Sequence, residues 1–228
     1  IGFPVIFELP LKHVSWKRLS MHTRVVLSTT FALLLFGTLL LKLTENISWL
    51  GAFFYSVSAR TAGFSTYNLG DFSTAGLLVV SGLMFIGASP ASTGGGIKTT
   101  TFFVLLSGIY SAATNHSERA FHSAIPKDAF RKASVISMLA VFLVMTASYL
   151  MLIFDPQLSL RDVLFEMISA FSTSGLSTGI TPQLSAQSRI LSIIMMYIGR
   201  LGPLTVASLW YFTIGERVRY PEGTIAIG

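Results

Sequence analysis

Thr61-Ala62-Gly63-Phe64-Ser65-Thr66 and Thr173-Ser174-Gly175-Leu176-Ser177-Thr178 set a lone glycine two residues after a threonine, twice, 112 positions apart. Each hexapeptide follows a short apolar stretch, residues 48–57 in the first case and 160–171 in the second. As helices these stretches reach about 15–18 Å, half of a hydrocarbon core of about 30 Å. A helix that stops inside a membrane aims the negative end of its dipole at the loop that follows. Glycine lets that loop turn its peptide planes, because it adopts φ values other residues avoid. Carbonyl oxygens presented this way replace the hydration shell of a cation. The chemistry on offer is therefore coordination of a bare alkali ion, with no bond made or broken. Gly63 and Gly175 are the residues expected to set that geometry, and Thr61, Ala62, Thr173 and Ser174 to add neighbouring carbonyls. Small residues also let helices pack closely, and one isolated Thr-x-Gly would be read that way. Recurrence in register, after helices too short to span, favours coordination. Two loops do not enclose an ion, so the remainder of the ring must come from further sequence or another subunit.

The elements that position these loops repeat as well. Met84-Phe85-Ile86-Gly87 returns as Met196-Tyr197-Ile198-Gly199 at the same offset, since 196 − 84 = 112. A whole unit has been duplicated, and such self-similarity fixes the architecture. Residues 25–44 and 135–154 are predicted membrane spans, the first carrying only Lys42, near its outer end, where it can snorkel to the interface. Residues 75–88 and 102–112 are apolar halves of one further span, interrupted by the small polar segment 89–101. Irregular backbone at membrane depth persists only where protein or a water-filled cavity satisfies it, so the break must face the interior. Residues 190–214 are expected to form the closing span of the second copy, with Arg200, Gly202 and Pro203 in its middle. The expected fold is an all-α integral membrane protein of tandem helix–pore-loop–helix repeats. Both repeats run in one direction, related by an axis along the membrane normal, and the last helix of the first copy is broken. The expected divisions are a cytoplasmic lead-in (1–22), a first repeat (23–114), a cytoplasmic connector (115–132), a second repeat (133–214) and a cytoplasmic tail (215–228).

The interruption contains Gly94-Gly95-Gly96-Ile97-Lys98-Thr99-Thr100, which invites comparison with a phosphate-binding loop. It fails that comparison, because Ile97 separates the glycines from Lys98 and no buried strand precedes it. A flexible segment lying across the permeation path, an intramembrane gate, fits the placement better. Lys98 either brings positive charge to that gate or snorkels from its half-helix. Arg200, near mid-membrane in the predicted closing span, either bonds the freed carbonyls of the Gly-rich loop and holds it shut, or pairs elsewhere to hold helices together. Arg60, beside the first loop, is expected to bond the end of the short helix rather than touch an ion, which it would repel.

Composition excludes several classes. Of 228 residues 52% are apolar and 11% charged, against about 25% charged in soluble domains. Cysteine is absent, so no disulfide or thiolate metal site exists. His13, His22, His116 and His122 lie in polar connectors and read as solvated groups. The net charge of +6 does not point to nucleic acid, because the bases cluster beside the spans. Lys12, Lys17, Arg18 and Arg24 precede the first span; Arg119, Lys127, Arg131 and Lys132 lie between the repeats; Arg217 and Arg219 follow the last. That is the positive-inside pattern of cytoplasmic loops. Glu45, Asp71, Asp155, Asp162 and Glu166 fall at the opposite ends, an acid-rich outer mouth expected to concentrate cations. The chain opens on Ile1 with no basic signal-peptide start, and reads there like the end of a helix, so a preceding part is expected.

Residues 58–66, residues 84–101, residues 169–179 and Ile198-Gly199-Arg200-Leu201-Gly202-Pro203 together resemble the Trk/Ktr/HKT superfamily of cation transporters, most closely its Ktr-type membrane subunits. Residues 219–228 are similar to the Ktr carboxyl terminus. The resemblance covers the third and fourth of four helix-pore-helix repeats, and residues 1–9 resemble the end of the second. It implies potassium uptake, often sodium-dependent in Ktr members, with one filter glycine from each repeat. It implies a homodimer in the cell membrane, surrounded by lipid and docked on a cytoplasmic ring of nucleotide-binding (RCK-type) regulatory subunits, with no cofactor beyond the transported ion. By motif, Gly63 and Gly175 are the filter glycines, Gly94, Gly95, Gly96 and Lys98 belong to the gate loop, and Arg200 is its partner. Ser172 departs from the family pattern, where glycine is frequent, and bears on ion selectivity. A coupled secondary transporter of a small solute also uses broken helices and is the alternative; a membrane enzyme is disfavoured by the lack of any base–nucleophile pair or metal cluster within the spans.

Overall fold

The computed structural model describes residues 1–11, 16–114, 119–121, 123–203 and 205. His13, His116, His122, the stretch 206–214 and the tail 215–228 lie outside the described residues. The chain opens with α1 (Phe3–Leu11), then α2 (Met21–Thr44), long and apolar enough to cross a membrane. Serine begins each following unit of the first repeat. Ser48 caps α3 (Trp49–Ser58), its hydroxyl accepting the Gly51 N–H at 3.0 Å, and Ser73 caps α4 (Thr74–Phe85) through Gly76 N–H at 3.0 Å. Such caps satisfy otherwise orphaned donors of a first turn. After the interruption, α5 (Thr99–Thr114) completes the broken span. A two-residue hairpin, β1 (Arg119–Ala120) against β2 (Ser123–Ala124), is the small exception to an all-α chain among the described residues.

The second repeat follows the same plan with α6 (Lys127–Phe154), also long enough to span, and α7 (Leu160–Ser172), capped by Ser159. It continues with α8 (Ala186–Leu201), capped by Ser185. The duplicated register is retained to the residue: Ser73 and Ser185 differ by 112, as do the 3-10 turns Leu69–Asp71 and Thr181–Gln183. α3 and α7, at 10 and 13 residues, remain too short to span.

Three expectations change. α6 starts at Lys127, inside the connector, so its first turns are the basic ones that precede the apolar run. The closing helix begins at Ala186 rather than 190, because Ser185 supplies the cap. It is also interrupted at Gly202, in the middle of the predicted span, with helical backbone again at Pro203 and Thr205. Pro203 lacks an N–H and disfavours helix at the residue before it, and Gly202 takes φ +91.

Two apolar cores hold the repeats. Leu41, Tyr55, Leu69, Phe72, Leu77, Val80 and Met84 surround α3, joined by Phe165 and Leu176 from the other repeat. Met151, Val163, Met167, Phe171, Leu184 and Met195 surround α7, and Ile97 from the interruption is buried among them. α4 packs on α7, so the repeats meet beside their short helices.

Candidate functional site: two glycine loops over a buried Gly-rich segment

The loops after α3 and α7 carry the same backbone. φ is positive at Thr61 (+72) and Gly63 (+76), and at Thr173 (+52) and Gly175 (+87). In each loop the residue between, Ala62 or Ser174, is not in that region. Alternating hand turns successive peptide planes toward one side, a geometry that concentrates like backbone dipoles. A threonine at positive φ is costly, and it occurs at corresponding positions of both copies. Such strain persists only where surroundings impose it.

Four amide groups of these loops are engaged while their carbonyls are not. Ala62 and Gly63 N–H donate to Ser58 O at 3.1 and 3.2 Å; Thr173 and Ser174 N–H donate to Ala170 O and Ser169 O, both at 3.0 Å. Among the described residues no hydrogen bond is accepted by the carbonyls of residues 61–63 or 173–175. The structure brings the two loops together. A Cβ built on Gly63 would lie 2.3 Å from Ser174 O, and one on Gly175 would lie 3.7 Å from Gly63 Cα. Ser174 Oγ donates to Ala59 O at 3.2 Å, tying the second loop to the end of α3. The carboxyl ends of α3 and α7 both reach this point and bring their negative dipole ends with them.

The Gly-rich segment lies against the same loops and is buried from Gly94 to Ile97. Ile86 and Ile97 pair as an isolated parallel bridge, and Ile97 N–H donates to Phe85 O at 3.1 Å, closing the interruption at its base. Gly95 N–H donates to Thr173 Oγ1 at 3.0 Å. A Cβ on Gly94 would meet Thr61 Oγ1 at 2.6 Å, so the segment seats on the threonines of both loops.

Lys98 stays with the Gly-rich segment, one of its two expected placements, whereas Arg60 and Arg200 depart from expectation. Lys98 Nζ donates to Gly94 O and folds back on its own segment rather than snorkelling. Arg60 reaches Gly87 O, at the end of α4, at 3.5 Å, rather than the end of α3. Arg200 sits exposed in the last turn of α8, close enough to Lys98 for like-charge repulsion. Among the described residues no hydrogen bond joins Arg200 to the Gly-rich segment.

The acids of the outer mouth are working acceptors. Glu45 accepts from Ser73 N–H (2.9 Å) and Oγ (2.6 Å); Asp155 accepts from Ser185 N–H (3.1 Å) and Oγ (3.0 Å). In both repeats an acid at the end of the opening span thus grips the cap of the closing helix. Asp71 takes Asn68 Nδ2 at 3.1 Å, Asp162 pairs with Arg161 at 3.3 Å, and Glu166 takes Ser177 and Thr181 hydroxyls. These hydrogen bonds fix the carboxylates in the scaffold. Sequence reasoning missed these roles, as it missed Tyr55, because nothing in local spacing announces an acceptor many residues from its donor.

A family model described as TrkH, a cation transport protein, matches residues 6–213. The chain belongs to the TrkH family. Membership places it among membrane-embedded cation transport proteins rather than enzymes. It is 36% identical, over its full length, to "Ktr system potassium uptake protein B" of Vibrio alginolyticus, covering 53% of that protein. It is 33% identical to the protein of the same name from Bacillus subtilis, covering 54%. The chain thus spans about half the length of the curated relatives it matches. The crystal structure of the potassium transporter TrkH from Vibrio parahaemolyticus superposes with a TM-score of 0.71 at 18% identity, over 92% of this chain and 49% of that one. That likeness supports the fold: tandem membrane repeats with short helices between spans.

Proposed function

We propose that this TrkH-family chain forms half of a potassium permeation pathway in the plasma membrane. Carbonyls of Thr61, Ala62, Gly63, Thr173, Ser174 and Gly175 face the ion, and the remaining loops come from further sequence or another subunit. The observation that carries the reading is the paired positive φ at 61/63 and 173/175, with the carbonyls of both loops free of hydrogen bonds. Peptide oxygens without a protein donor at membrane depth need another partner, and a dehydrated potassium ion is one that compensates them.

The Gly94-Gly95-Gly96 segment, with Lys98, acts as the intramembrane gate, seated on Thr61 and Thr173. Arg200 biases it through its charge beside Lys98. Basic connectors and the carboxyl end face the cytoplasm, where a nucleotide-binding regulatory subunit acts on a homodimer of the intact transporter, and sodium stimulates uptake. Rubidium uptake by potassium-transport-deficient cells expressing the native gene tests the reading. Gly63→Ser and Gly175→Ser should each abolish uptake at normal membrane abundance. Uptake untouched by both would favour a coupled solute transporter built on broken helices.

A further inference from the structure

The two loops share a backbone shape but are fastened by different side chains. In the first repeat the fully buried Tyr55 of α3 donates its hydroxyl to Tyr67 O at 2.7 Å and accepts from the N–H groups of Tyr67 (2.8 Å) and Thr66 (3.2 Å). Its ring lies 5.3 Å from Phe72 and 6.2 Å from Tyr67, so the outgoing strand of that loop is also packed. The corresponding position of the second repeat is Met167, since 55 + 112 = 167, which has no donor to offer.

The fastening there is one residue earlier, at Glu166, whose counterpart in the first repeat is Phe54. Glu166 is 9% exposed on α7. Its Oε1 accepts from Ser177 Oγ and, at 3.2 Å, from Thr181 Oγ1. Ser177 Oγ also receives Gly179 N–H at 2.9 Å and lies 2.9 Å from Thr181 Oγ1. Ser177 comes two residues after Gly175, so this network holds the chain directly beyond the positive-φ glycine. A cavity of about 440 Å³, bordered by Thr173, Gly175, Ser177, Glu166 and Arg189, lies beside the loop. The second loop therefore lacks the aromatic backing of the first and is held by hydrogen bonds to a carboxylate, a strong and directional kind.

We infer that Glu166 is a positioning residue that fixes the carbonyls of residues 173–175 through Ser177 and Thr181. The inference rests on the ion-coordinating role proposed for those carbonyls. Removing the carboxylate leaves the hydroxyls unanchored and the loop free to relax into the neighbouring cavity. Ion discrimination should then fall while folding and insertion persist.

The test measures rubidium and sodium uptake by cells expressing the native gene, with membrane abundance determined alongside. Glu166→Ala and the pair Ser177→Ala/Thr181→Val are each expected to lower the rubidium-to-sodium preference about tenfold. Combining them should cost no more than either alone, the mark of a shared network. Glu166→Gln keeps an acceptor oxygen and should recover most of the preference. Unchanged preference in Glu166→Ala at normal abundance, or additive losses in the combination, overturns the inference. If Glu166→Ala does not reach the membrane, unchanged preference in Ser177→Ala/Thr181→Val overturns it equally. Gly175→Ser, read by rubidium uptake itself, separates the two levels: if it abolishes uptake while the tether variants leave the preference unchanged, the coordinating loop survives and only the tether is lost. If it leaves uptake intact, the coordination reading itself falls.

Discussion

Alanine at the two loop glycines should have unequal effects, and the structure sets the order. Both positions lie at positive φ, +76 at Gly63 and +87 at Gly175, where an L-residue costs about 1–2 kcal/mol. At 1.4 kcal/mol per factor of ten, strain alone predicts a loss of roughly 5- to 30-fold for either variant if the loop relaxes to avoid it. The surroundings then divide them. A methyl at Gly175 meets Gly63 Cα at 3.7 Å, ordinary contact, whereas one at Gly63 falls 2.3 Å from the Ser174 carbonyl oxygen. Restoring contact needs a recoil of about 1 Å by an oxygen assigned to coordination, and misplacement of that size costs on the order of a hundredfold where geometry sets the rate. Initial rubidium uptake in potassium-starved cells, normalised to membrane abundance, should therefore fall roughly tenfold in Gly175→Ala and roughly a hundredfold in Gly63→Ala. A Gly175→Ala variant as impaired as Gly63→Ala would refute the packing argument. Near-native transport by both would refute the role of the loops.

Thr173→Val keeps a β-branched side chain at φ +52 but deletes the hydrogen bond to Gly95 N–H. A net bond of about 0.5–1.5 kcal/mol predicts a two- to tenfold rise in basal flux, and flux equal to wild type at equal abundance would exclude Thr173 as a seat for the gate. Arg200 acts on the segment only as a like charge beside Lys98, so Arg200→Ala should let Lys98 hold Gly94 O more firmly and lower basal flux, and unchanged basal flux would retire Arg200 from gating. Asp155, outside the spans, is held below the usual carboxylate range by hydrogen bonds from Ser188 and Ser185, against the opposing effect of burial. A depressed folded value stabilises above the unfolded value of about 3.9, and that contribution disappears as pH falls through the folded value. Melting temperatures of detergent-solubilised protein should thus show Asp155→Asn less stable at neutral pH, with the gap closing in acid. A gap that stays constant to about pH 3 would show that the carboxylate is not an acceptor in the folded state.

The architecture was legible because its signals are local. Apolar lengths and a glycine-rich interruption each act within a few residues, and the duplicated register they announced holds at Ser73 and Ser185, although those caps were not read and the closing helix was placed four residues late. The backbone of the two loops was legible for a related reason: a lone glycine after a helix too short to span records a backbone requirement directly, and both glycines take positive φ. Contacts across the chain were not legible. Thr173 grips Gly95 over 78 positions, and nothing in either neighbourhood foretells it. The scaffold roles of Glu45, Asp155 and Glu166 were not legible for the same cause, since composition counts a carboxylate as charge and does not reveal which distant donors it accepts from. At Gly202-Pro203 the local signal was present, but apolar length outweighed it, and the helix is interrupted at Gly202 before helical backbone returns at Pro203 and Thr205.

The duplicated hexapeptides suggest what has been kept and what has been free to change. Thr61 and Thr173, Gly63 and Gly175, Ser65 and Ser177, and Thr66 and Thr178 match, while Ala62 differs from Ser174 and Phe64 from Leu176. Both positive-φ positions of each loop are among the matches. The supports behind them are not: a tyrosine hydroxyl and stacked rings fasten one loop, a carboxylate with two hydroxyls the other. Different fastenings converge on one backbone shape. A requirement confined to side chains would have kept the fastenings and let the dihedral angles drift. Retention of the angles is what the proposed coordination of a bare cation by the peptide oxygens requires.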